Sequence, residues 1–109
     1  MTIATPAGPY YFRASELSRR PVLLGDAISR LVIEMPGFPP LPVILRLLIS
    51  AEGDVDRVLV EDSYLPDAVV ERIVDTFSTV RFLPGKIGDA AVRSQLKIEV
   101  RLENLQDSR

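Results

Sequence analysis

Five carboxylates crowd one stretch of the sequence: Glu52, Asp54, Asp56, Glu61 and Asp62. Working as an acid–base pair, two of them would need a shared pocket and a raised pKa in one member. As turn and solvent-face residues of a hairpin they need neither, and the flanking pattern favours that role. A calcium loop of the EF-hand kind is not built, because Asp54 and Asp56 lack the glycine and the bidentate Glu at the required offsets. Gly85, Lys86 and Gly88 hint at a phosphate cradle, but the stretch precedes a strand pattern, whereas a P-loop delivers its phosphates to a helix start. The chain has 0 Cys and 0 His. That removes Ser-His-Asp and Cys-His nucleophiles, disulfides and nearly every zinc site. The expectation is no enzyme, no cofactor and no metal.

With no chemistry to position, the elements are read for what they could bind. The 109 residues are one domain's worth, 47% hydrophobic and 26% charged, an ordinary globular balance. A formal net charge of -2, without a basic stripe interleaved with aromatics, disfavours nucleic acid as a partner. The first residues show no basic region followed by an apolar run, so no secretory pattern is visible. The most apolar stretch, 41–49, is too short to span a bilayer and is interrupted by Arg46.

Residues 1–42 hold seven of the nine prolines. Proline removes a backbone donor and fixes φ, so this density opposes helix interiors and central strands. The segment reads as a leader, disordered at its start, whose aromatic knot Tyr10-Tyr11-Phe12 is expected to dock on the core. Residues 26–33 carry a weak strand signal, and 35–40 a turn or extended linker. The domain proper is expected over 43–109.

There Val43, Leu45, Leu47 and Ile49 share one face, and Ile44 and Leu48 join Arg46 on the other. A strand apolar on both faces suits a central place. Residues 51–54 form a turn around Gly53, and a second strand runs from Val55 to Asp62. Val55 is out of phase with Val58 and Val60, so the spacing predicts a bulge near Asp56 and Arg57. Pro66 suits a first helical position, and Val70, Ile73, Val74 and Phe77 give one apolar stripe. Residues 85–89 read as a loop. Residues 91–103 then alternate: Val92, Leu96, Ile98, Val100 and Leu102 against Arg93, Gln95, Lys97, Glu99, Arg101 and Glu103. This is the period of a strand with one buried and one wet face. Strand, strand, helix, strand gives an α+β domain: a small antiparallel sheet, first strand central, with one helix packed on one face.

This block resembles the C-terminal domain of the TonB family of energy transducers. The resemblance is carried by Val43-Ile44-Leu45-Arg46-Leu47-Leu48-Ile49-Ser50-Ala51-Glu52-Gly53-Asp54-Val55, then Val58-Leu59-Val60, the helix, Arg81-Phe82-Leu83-Pro84-Gly85, Gly88 and the closing strand. It covers a little over half the chain. Where family members have a Tyr-Pro motif and a short helix, residues 35–42 hold a proline-rich stretch. No membrane anchor or long proline-rich spacer is visible in the chain.

The resemblance implies a periplasmic, peptide-binding module that couples inner-membrane energy to TonB-dependent outer-membrane receptors, as in siderophore uptake. The partner would be the receptor's N-terminal TonB-box segment, added as a strand to the closing strand. The residues expected to carry this are Gln95, Leu96, Lys97, Ile98, Glu99, Val100 and Arg101, with Lys97, Glu99 and Arg101 tuning specificity from the wet face. The ExbB–ExbD complex enters as a partner only if an anchor lies upstream. Each main-chain bond would net roughly 0.5–1.5 kcal/mol, so about four to six could hold a transient complex. The alternatives are a homodimer through the same open strand and a peptide-binding adaptor without a transport role.

Overall fold

A computed structural model of the chain describes residues 10–25 and 41–101. In chain order the elements are β1 (Val22–Leu24), β2 (Pro42–Ile49), β3 (Val55–Ser63), the helix α1 (Asp67–Phe77), β4 (Arg81–Leu83), β5 (Gly85–Ile87), β6 (Ala90–Val92) and β7 (Ser94–Arg101), with a 3-10 turn at Ala14–Glu16 before them. The fold is α+β. Its main sheet has the order β3-β2-β7, both pairings antiparallel, so the doubly apolar strand is central. Two-stranded ribbons β1-β4 and β5-β6 stand beside it.

The core lies between this sheet and α1. Val43, Leu45, Leu47 and Ile49 are each 0% exposed and meet Ile73 and Phe77 of the helix. Burying side chains of this size is worth about 1.5–3 kcal/mol apiece, which makes β2 the spine of the domain. Its opposite face, with Ile44, Arg46 and Leu48, is only half covered. Between β2 and β3 the pairing skips Asp56, the expected bulge, and skips Glu61 as well, a second bulge that the sequence pattern does not announce.

Gly53 sits in the β2–β3 turn at φ 94°. A side chain there would be strained by that φ and would also run into the Phe82 carbonyl, because Phe82 N–H donates to the Gly53 carbonyl at 2.8 Å. This close approach is what brings β4 against the hairpin. Arg81 clamps it further, reaching the Asp54 carboxylate and the Glu52 carbonyl.

Several expectations are corrected. Pro66 is the N-cap and not the first helical residue; its carbonyl accepts from Val69 and Val70. On the helix Val69 joins Ile73 and Phe77 as a buried residue, while Val70 and Val74 are partly buried against the same core. The loop expected at 85–89 is a hairpin: Gly85–Ile87 pairs with Ala90–Val92 around a turn that places Gly88 at φ 61°. The closing strand is therefore not one continuous run. It breaks at Arg93, with Ala90–Val92 in the small ribbon and Ser94–Arg101 in the main sheet. The strand signal at 26–33, the turn at 35–40, and Leu102 and Glu103 lie outside the described residues.

Candidate functional site

In an antiparallel pair, residues alternate between pointing their N–H and C=O groups at one neighbour and at the other. Along β7 the even residues bond β2. The odd ones face the opposite flank, as Gln95 shows by donating its N–H to the Phe12 carbonyl at 2.9 Å. Phe12 N–H in turn donates to the Arg93 carbonyl at 3.0 Å. The leader thus lies parallel to β7 for a single bridge, Phe12 to Ser94. Beyond Gln95, no strand among the described residues pairs with this flank.

The expected edge is accordingly divided. Gln95 is not available to a guest: its N–H is held by Phe12 and its side-chain amide donates to the Tyr11 carbonyl at 3.0 Å. Lys97 and Glu99 follow with their backbone groups turned outward. Leu96, Ile98 and Val100 send their backbone groups to β2 and their side chains to the helix side, where they contribute surface and not ladder bonds.

On the wet face, charges run across all three strands. Arg46 Nε donates to Glu61 Oε2 at 2.6 Å, and Arg46 Nη1 donates to Gln95 Oε1 at 2.6 Å. Lys97 Nζ lies 3.8 Å from Glu61 Oε1. The Arg46 hydrogen bond, opposed by a little desolvation and helped by Lys97, holds the Glu61 carboxyl below its ordinary pKa. Arg101 Nη2 donates to Glu99 Oε2 at 2.6 Å. Glu61 is thus shared between Arg46 and Lys97, and Glu99 pairs with Arg101; Lys97 is 61% exposed at the edge.

On the helix side, a groove of about 220 Å³ runs beside the same strand. Phe77 and Phe82 form its floor. Leu96, Ile98, Glu99 and Val100 make the β7 wall, and Pro21 and Leu23 of the leader stand opposite. Sequence reading could not find Pro21, Leu23 or Phe82 as site residues. β1 joins the fold by pairing with β4 about sixty residues on (Val22 with Leu83), and no local periodicity encodes such a partner.

The carboxylates that opened the sequence reading are dispersed. Asp54 pairs with Arg81, Asp56 accepts from Tyr11, and Glu61 is bound by Arg46. Gly88 N–H donates to Ser18 Oγ at 2.8 Å, so the glycine loop is engaged by the leader.

Searches of protein families, of curated proteins and of solved structures find no match to the chain.

Proposed function

We propose that this chain is a peptide-binding module that captures an extended segment by strand addition to the outer flank of β7. On the resemblance to the TonB C-terminal domain, the segment is the N-terminal TonB box of an outer-membrane receptor, and the compartment is the periplasm. One observation carries the proposal: from Lys97 onward β7 is a sheet edge whose backbone groups at Lys97 and Glu99 face outward with no strand against them among the described residues. An exposed edge of this kind supplies main-chain hydrogen bonds that depend little on sequence.

A second reading, self-association, is favoured by the charges. A two-fold axis through Ile98 would set Lys97 of each copy opposite Glu99 of the other, with both residues in hydrogen-bonding positions. Phe12 limits it, because the same register sets Arg101 of one copy against Gln95 of the other, where the leader already sits.

The test is an NMR titration of the labelled chain with a TonB-box peptide, repeated on Glu99→Pro. The substitution removes an outward N–H without breaking a β2 ladder bond, a place where an edge strand tolerates proline. Peptide shifts centred on residues 97–101, abolished by Glu99→Pro, support strand capture. Concentration-dependent shifts there without peptide support the dimer. Peptide shifts elsewhere, or none, refute the proposal.

A further inference from the structure

The outer flank of β7 already holds one extended segment, and it belongs to the same chain. Phe12 N–H donates to the Arg93 carbonyl, and the Phe12 carbonyl accepts from Gln95 N–H. These are the two bonds with which a parallel strand would begin its ladder. The ladder stops after that bridge. In a parallel register the next donor is Lys97 N–H and its acceptor is the Ala14 carbonyl. That carbonyl accepts instead from Leu17 N–H at 3.2 Å, inside the 3-10 turn Ala14–Glu16. Glu16 fixes the turn: its Oε1 accepts Arg13 N–H at 2.7 Å and the Tyr10 hydroxyl at 2.8 Å. The leader therefore occupies Arg93 and Gln95 and turns away before Lys97.

Little burial holds it there. Phe12 is only half-buried, and its ring meets the Tyr10 ring edge-on at 4.8 Å, with Tyr10 itself exposed. The side-chain bonds from Tyr10 to Glu16 and from Tyr11 to Asp56 are both exposed to solvent. Such bonds are easily exchanged for bonds to water.

We infer, on the premise of strand capture at β7, that leader residues 10–13 are an autoinhibitory strand, a competitor in cis for the flank that a guest would take. With the leader seated, a guest finds the outward N–H and C=O groups of Lys97 and Glu99. With the leader displaced, it also gains the Arg93 carbonyl and the Gln95 N–H. A guest that reaches Gln95 binds with an apparent affinity scaled by the fraction of molecules whose leader is open. Phe12 sets that fraction at the flank itself. Tyr11 sets it from a distance, because its hydroxyl is bound to Asp56 of β3, at the opposite edge of the sheet from the guest.

The experiment titrates the labelled full chain with a TonB-box peptide in three forms. They are the native protein, Phe12→Pro, which deletes the N–H that Arg93 accepts, and Tyr11→Phe, which deletes the Asp56 bond and leaves Phe12 and β7 intact. Melting curves show whether the variants are folded; if Phe12→Pro is not, Tyr11→Phe decides alone. Phe12→Pro should raise the affinity about tenfold and Tyr11→Phe about threefold. In both, the peptide shifts should extend from residues 97–101 to Arg93 and Gln95. Binding at residues 97–101 with the same affinity in all folded forms, or weaker binding by the variants, would overturn the competition and leave strand capture standing. No peptide-dependent shift on β7 in any form would overturn both.

Discussion

Tyr11 and Asp56 are tied across the full width of the main sheet. Tyr11 precedes the residue that bridges the outer flank of β7, and Asp56 is the bulged residue of β3 at the opposite edge, yet the Tyr11 hydroxyl donates to Asp56 Oδ2 at 2.6 Å. The phenol ring therefore lies over the wet face of β2, near Leu48, which pairs with Gln95 on one side and Arg57 on the other. This aromatic strap adds to the Phe12 bridge, the Arg19–Lys86 bridge and the β1–β4 pairing that hold the leader to the domain.

Tyr11→Phe should loosen this strap. The bond is largely exposed, so its loss is worth roughly 0.5–1 kcal/mol. Thermal unfolding should shift down by a few degrees, and amide exchange at Phe12 and Gln95 should accelerate. Unchanged exchange at both amides would mean that the strap does not hold the leader.

The same pair sets an alkaline limit. The Asp56 hydrogen bond, with some desolvation, raises the Tyr11 pKa above its ordinary 10.0. The folded state thus holds the proton more tightly than the unfolded one, and the stabilisation is complete below that value and is lost as pH rises through the higher folded pKa. Leader exchange should speed up above about pH 10 in the native chain, and the contribution of Tyr11 should vanish in Tyr11→Phe. Tyr10, raised by Glu16, titrates in the same region, so the comparison must be made between variant and native protein.

Glu61 sets an acid limit of opposite sign. Its pKa is lowered from 4.5, chiefly by Arg46. The stabilisation is full above that value and disappears as pH falls through the lower folded pKa. Urea midpoints measured from pH 6 downward should decline in the native chain and decline less in Glu61→Gln. Parallel curves would remove the Arg46 pair as their cause.

Ser94 and Gly85 should show a non-additive cycle. Ser94 is 0% exposed, and its hydroxyl has no hydrogen-bond partner among the described residues. A methyl on Gly85 would stand 3.0 Å from that oxygen and 3.1 Å from Leu17 Cδ1. Gly85→Ala should therefore cost about 1–3 kcal/mol by overpacking. Ser94→Ala should be neutral or slightly stabilising, since it deletes an unpartnered buried hydroxyl. The double variant should recover part of the loss, leaving a coupling of about 0.5 kcal/mol or more by denaturant unfolding. Strict additivity would show that the two sites do not touch.

Gly53→Ala should be far more damaging, about 2–4 kcal/mol, because the positive φ and the Phe82 carbonyl both exclude a Cβ. A loss below 1 kcal/mol, judged from chemical denaturation, would mean that β4 can retreat from the turn at little cost.

What the sequence determined by itself is what repeats locally. Period-2 alternation placed β2 at the centre, assigned the two faces of β7 and located the bulge at Asp56 from the phase slip at Val55. These follow from nearest neighbours along one strand, where a buried face leaves a continuous trace. The phase of α1 was legible only to within one residue, because Val69 and Val70 are equally apolar and the choice between them falls to how the helix packs on the core. Only the folded chain decided where the strand must break at Arg93, that Gly85–Ile87 finds Ala90–Val92, and that the leader takes Gln95 and walls the groove with Pro21 and Leu23. Those contacts join segments up to some eighty residues apart, as between Tyr11 and Gln95. Pairings of that separation are selected by the shape and free backbone groups of the whole fold, which leave no periodicity in either partner.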